Sequence, residues 1–152
     1  VVFESQNLSL IASVTSLLNS QVSKERDVQL FTTFRSNAYD NKNISIKQLG
    51  NLKFTYTAGT FPYESIRSKE FDSLYIGSFG NFPKREALRG YDVTMDLILR
   101  WAHKKELASD SLGETEYIES RFDYSPNSSG GYVNRGFYLL QHKGYEVFEI
   151  KK

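Results

Sequence analysis

The chain has 152 residues, 39% of them hydrophobic and 24% charged, with a formal net charge of +1, a balance that supports one globular domain with a real core. It contains no cysteine, which excludes a disulfide scaffold and thiolate metal sites. Lysine and arginine are spread along the chain, which argues against a nucleic-acid footprint, and no apolar run approaches the ~20 residues that span a bilayer.

Val1 to Glu4 reads as a short buried strand. Asn7 is placed to cap a helix whose apolar stripe is Leu10, Ile11, Val14, Leu17 and Leu18. Val28 to Phe34 is the next strand, rich in β-forming residues. Strand, helix and strand in this order make a βαβ unit with a parallel pair. Ile44 to Leu49 predicts a short helical turn ended by Gly50, and Leu52 to Thr57 alternates as a third strand. Ser65 opens a helix carrying Phe71, Leu74 and Tyr75. Gly77, Gly80 and Pro83 break the chain.

The next helix runs roughly from Lys84 to Lys105. Val93, Leu97, Ile98, Trp101 and Ala102 share one face, and Asp96 and Arg100 form an exposed i,i+4 pair on the other. Gly90 inside this run costs about 1 kcal/mol relative to alanine, so a close backbone approach or a break is expected there. Ser109 to Thr115 is a loop. Strands follow at Glu116 to Asp123, Tyr132 to Gln141 and Tyr145 to Ile150, the last two joined as a hairpin across His142-Lys143-Gly144. No linker divides the chain. The expected fold is α/β: a small, mostly parallel sheet flanked by helices, with a C-terminal antiparallel β-hairpin. It forms a single α/β region over residues 1–152.

Few residues suggest chemistry. His103 and His142 sit alone on different elements, read as solvated, and make no metal site. Glu114, Glu116 and Glu119, with Glu106 nearby, could be the paired carboxylates of a hydrolase. On a strand their faces alternate, and a solvated edge is the plainer reading. Tyr91-Asp92 invites a catalytic reading, but dipole and capping effects at a helix start explain Asp92. In open α/β sheets ligands sit beyond the carboxyl ends of the strands. Two segments occupy that position: Ser5-Gln6-Asn7 after the first strand, and Thr33-Phe34-Arg35-Ser36 after the second. Both are also read as plain polar turns.

The ordered set of features resembles the C-terminal third of type I periplasmic binding proteins, the leucine/isoleucine/valine-binding class. It comprises Phe71, Tyr75, Phe79 and Pro83, then Ala87, Gly90, Tyr91 and Asp92. Phe122-Asp123, Gly130-Gly131, Phe137 to Gln141 and Gly144 complete it. The phrasing around Arg89 to Thr94 is most similar to a Bacteroidetes branch in which this module follows peptidoglycan-binding LysM repeats. The resemblance implies a non-enzymatic, solute-binding module of the bacterial periplasm or cell envelope, with no cofactor. It implies that the chain is the C-terminal portion of a longer module. Its ligand would be an amino acid or a cell-wall-derived small polar molecule, held by Ser5, Gln6, Asn7, Thr33, Arg35 and Ser36. Hydroxyls and amides orient a zwitterion, and arginine holds a carboxylate bidentately. Where the family often places an acid after the second strand, this chain has Arg35. Peptidoglycan contact would come through N-terminal modules outside this chain, and self-association as a homodimer is a further expectation. The alternatives are a structural or interaction module with a degenerate cleft, and the carboxylate hydrolase.

Overall fold

The computed structural model describes residues 1–62, 65–104 and 113–150. Glu106 and the beginning of the expected loop at Ser109 lie outside the described residues. The chain forms two compact units, one made of Val1–Ala58 with Tyr138–Lys152 and the other of Gly59–Phe137.

In the first unit, Asn7 caps α1 (Leu8–Ser20), its side-chain oxygen accepting from the Leu10 N–H at 3.1 Å. The helix buries a narrower stripe than its apolar residues suggest. Ile11 and Thr15 are buried, but Leu10 and Leu17 are 48% and 65% exposed. Thr15 fits because its hydroxyl donates to the Ile11 carbonyl at 2.8 Å, so no polar atom is left bare. Strand β1 (Phe31–Thr32) pairs in parallel with β2 (Thr55–Ala58). The first expected strand is a single parallel bridge from Val2 to Phe31.

Between these strands lie a 3-10 turn (Asn37–Asp40) and α2 (Ile46–Asn51). Gly50 does not end α2; it lies inside it. Termination falls to Lys53, which takes the left-handed conformation (φ 44°) while the Lys53 and Phe54 N–H groups donate to the Gly50 and Leu49 carbonyls at 3.1 and 2.9 Å. That is the Schellman pattern, with lysine where glycine is usual. Gly50 is glycine for a different reason: a Cβ there would stand 2.2 Å from the Gly144 carbonyl oxygen.

The last two strands of this unit come at the end of the chain, after the second unit. In the second unit, helix α3 (Ser65–Phe79) stops at Gly80, whose φ is 72°. Helix α4 (Arg85–Lys104) follows. The ladder β3 (Thr115–Glu116) with β4 (Arg121–Phe122) and the ladder β5 (Tyr124–Pro126) with β6 (Tyr132–Asn134) complete the unit.

The orientation of α4 reverses the expectation drawn from its apolar stripe. The buried seam is Leu88, Asp92, Asp96 and Arg100, while Leu97, Ile98 and Trp101 are 37%, 56% and 62% exposed. Asp96 and Arg100 form a buried pair at 2.8 Å, not an exposed one. It is sustained because Arg100 also donates to Thr115 Oγ1 at 2.8 Å and stacks over the Tyr124 ring at 5.2 Å, and Thr115 donates to the free oxygen of Asp96 at 2.6 Å. Gly90 lies in continuous helix, and a Cβ there would meet no atom within 4 Å. Neither a break nor a close approach explains it.

In the first unit, β7 (Tyr138–Lys143) and β8 (Glu146–Glu149) form the expected C-terminal hairpin, turned at Gly144 with φ 63°. The four strands run β1-β2-β7-β8, parallel between β1 and β2 and antiparallel elsewhere. The fold is therefore α/β, with a mixed sheet and flanking helices. Its core joins Ile11, Leu30, Leu49, Leu52 and Leu140 to the aromatic run Tyr39, Phe54 and Tyr56, whose successive ring centroids are 4.6 and 5.4 Å apart.

Candidate functional site

The parallel pairing of Val2 with β1, and of β1 with β2, brings the two predicted segments to the same strand-end edge. Glu4 ties them together. Its carboxylate accepts from the Thr32 hydroxyl at 2.8 Å, the Thr33 N–H at 2.5 Å and the Thr33 hydroxyl at 2.9 Å. These bonds, led by the Thr33 N–H and then the Thr32 hydroxyl, hold the Glu4 carboxyl below the usual glutamate range, because each favours the charged form.

The six predicted residues have different surroundings. Ser5 accepts from the Asn7 N–H at 3.1 Å, and Asn7 is occupied as the α1 cap. Gln6 is exposed. Thr33 donates to Glu4, and its carbonyl accepts from the Thr57 hydroxyl at 2.6 Å. Arg35 is clamped in a two-point pair with Asp40, at 3.0 and 2.5 Å, and lies over the Tyr56 ring at 5.2 Å. Ser36 is buried, and its hydroxyl has no hydrogen-bond partner among the described residues.

Below Arg35 the structure gathers residues that the linear pattern did not point to. His142, expected in a solvated turn, is only 5% exposed on β7 and packs its ring against Phe54 and Tyr56 at 5.7 and 5.9 Å. Neither imidazole nitrogen has a partner among the described residues; the same holds for Tyr39 Oη and Arg35 Nε. Burial, with the nearby Arg35 charge, pushes the His142 imidazole down to about 4. It is therefore neutral at physiological pH, with one ring nitrogen able to accept and the other to donate. Burial raises the Tyr39 hydroxyl as well, with Glu4 adding to the effect. The floor of this site thus carries neutral donors and acceptors; around it Arg35 and Asp40 pair with each other, and the Glu4 carboxylate is held by neutral donors. The signal for His142 was available: Tyr138, Leu140 and His142 alternate, and all three are buried.

In the acidic set of the second unit, Glu114 and Glu116 are exposed, as on the expected solvated edge, but ion-paired, and Glu119 departs from it by being buried. Glu116 is paired with both Arg67 and Arg121, Glu114 contacts Arg121 at 3.4 Å, and Glu119 is 1% exposed beside Arg85 at 3.3 Å. Asp92 is fully buried and accepts from the Ile118, Glu119 and Ser120 N–H groups at 3.1, 2.9 and 2.9 Å. It clamps a turn from the middle of α4 and does not open the helix. Among the described residues no three His, Cys, Asp or Glu side chains converge as metal ligands, and no helix is long and apolar enough to cross a membrane.

No family model and no curated protein matches the chain. Among solved structures it is similar to an ABC transporter substrate-binding protein from Desulfitobacterium hafniense in complex with Leu, at 13% identity and a TM-score of 0.39. The match covers 97% of this chain and 49% of that one, so this chain spans about half the length of that protein.

Proposed function

We propose that the chain is part of a non-catalytic solute-binding module of a bacterial cell envelope, which takes a small polar ligand such as an amino acid or a cell-wall fragment. The observation that supports this reading is the strand-end edge of the first unit. Two polar loops meet there through Glu4, beside buried hydrogen-bonding atoms of Ser36, Tyr39 and His142 that have no partner among the described residues. Buried polar atoms of this kind are costly unless something satisfies them. A zwitterion would do so with its ammonium toward the imidazole acceptor or the Glu4 carboxylate and its carboxylate toward the Ser36 hydroxyl. The envelope setting and the link to peptidoglycan rest on the resemblance to the LysM-associated branch.

A second reading, an interaction module with no ligand, draws on Arg35: its fork is already closed on Asp40, which removes the group best suited to a ligand carboxylate. Isothermal titration of the chain against the common amino acids and a set of muropeptides separates the two. Saturable heat that Ser36→Ala and His142→Phe both weaken supports binding at this edge. No heat from any of them supports the second reading.

A further inference from the structure

The second unit contains a cleft of its own. A cavity of about 460 Å³ is lined by Pro62, Pro83, Arg85, Leu88 and Glu119, a volume typical of small-molecule sites (~300–1,000 Å³). Three of its walls are apolar. The backbone around it is fixed: the Phe61 N–H donates to the Glu119 carbonyl at 2.7 Å, and the Glu119 N–H is held by Asp92 at 2.9 Å.

Its charge is unevenly arranged. Glu119 is 1% exposed, whereas the side chain of Arg85 is 64% exposed. Arg85 Nε reaches Glu119 Oε2 at 3.3 Å, and Arg85 Nη2 donates to Thr60 Oγ1 at 2.8 Å. Glu119 Oε1 is buried and accepts no hydrogen bond among the described residues. A buried carboxylate served by one long contact lacks donors. The remedy is a compact donor carrying positive charge, and the apolar walls favour one with a short hydrocarbon body.

We propose that this cleft binds a small organic ammonium ion, its N–H groups donating to Glu119 Oε1 and its alkyl part lying against Pro62, Pro83 and Leu88. The site is separate from the strand-end edge of the first unit, so either assignment can fail without the other.

The test is titration of the whole chain with n-butylammonium, followed by amide chemical shifts, with n-butanol as the uncharged control of the same shape. Saturable shifts at Arg85, Leu88 and Glu119 with the ammonium, and none with the alcohol, are expected. Glu119→Gln should weaken binding at least tenfold. Should that variant not fold, Arg85→Ala decides the matter. Removing the exposed guanidinium frees Oε2 and leaves the carboxylate uncompensated, so the ammonium should bind at least threefold more tightly. Unchanged or weaker binding in Arg85→Ala overturns the proposal. So do equal shifts from the alcohol, or no saturable shift with the ammonium, the result for a cleft that takes only water.

Discussion

Replacing Asp92 by alanine should be the most damaging single change in the second unit. The carboxylate is fully buried and accepts three backbone N–H bonds, two on Oδ2 from Glu119 and Ser120 and one on Oδ1 from Ile118. Hydrogen bonds to a charged group contribute roughly 1.5–3 kcal/mol each. The simple sum, about 5–9 kcal/mol, overstates the loss, because the bonds are coupled and Ile118 is only half-buried, so water can reach its N–H. A loss of about 3–5 kcal/mol remains, comparable to breaking a buried ion pair. Against a total stability of ~5–15 kcal/mol, that lowers the midpoint of thermal unfolding by roughly 12–40 °C for a unit of this size. Asp92→Asn should lose about half as much. With its carbonyl in the Oδ2 position the amide still serves Glu119 and Ser120, but its NH2 then faces the Ile118 N–H. Urea unfolding followed by circular dichroism measures the loss, and hydrogen exchange at the three amides localises it. An alanine variant within ~0.5 kcal/mol of the parent, with those amides still protected, would refute the clamp.

Other outcomes follow from the same geometry. His142 is pushed down to about 4 in the fold, against ~6.5 when unfolded, so between these values only the unfolded chain takes up the proton. Its contribution is complete above pH ~6.5 and is lost as pH falls toward 4, by up to about 3 kcal/mol. Denaturant titrations across that range should show the slope, and His142→Phe should flatten it. Gly50→Ala places a Cβ 2.2 Å from the Gly144 carbonyl oxygen and 2.8 Å from its nitrogen, and should cost roughly 1–3 kcal/mol or more. Gly90→Ala meets nothing within 4 Å and should gain about 0.5–1 kcal/mol; urea midpoints read both. Trp101, the sole tryptophan, is 62% exposed, so its emission should be that of solvated indole and readily quenched by acrylamide. Sheltered emission in dilute solution would show that the apolar face of α4 is covered.

Much of the framework is legible in the chain. Alternation, caps and turn residues place α1 with its Asn7 cap, the βαβ start, the break between α3 and α4, and the hairpin at Gly144. What failed was the assignment of faces. Periodicity locates an amphipathic helix but does not say which side meets the protein. In α4 the apolar residues are the natural choice for the inside, yet the sequence also spaces Asp92, Asp96 and Arg100 four apart, and the strap from Gly113 to Phe122 supplies their partners. Those partners are distant in sequence and invisible to a local pattern. Arg35 is a different case: as a sequence feature it is a free cation, and in the fold the 3-10 turn brings Asp40, only five residues on, back to bind it. Glu4 was passed over because nothing local shows that the loop after β1 comes to rest on it.

The fate of each charged or polar side chain then separates scaffold from site. Asp92 has three donors and Asp96 has Arg100 and Thr115. A ligand could enter only by breaking bonds at least as good as those it offers, so these residues hold the fold and offer nothing to a solute. Glu119 Oε1, Ser36 Oγ, Tyr39 Oη and the His142 nitrogens are buried and have no partner among the described residues. There an incoming group displaces no hydrogen bond and relieves a standing desolvation cost, so each new contact counts nearly in full toward affinity. The resemblance points to polar residues of the two strand-end loops. Ser5 and Asn7, however, are spent on local turns and caps. Of the six predicted residues, Ser36 has the strongest physical case, because it combines burial with an unused hydroxyl beside the strand ends.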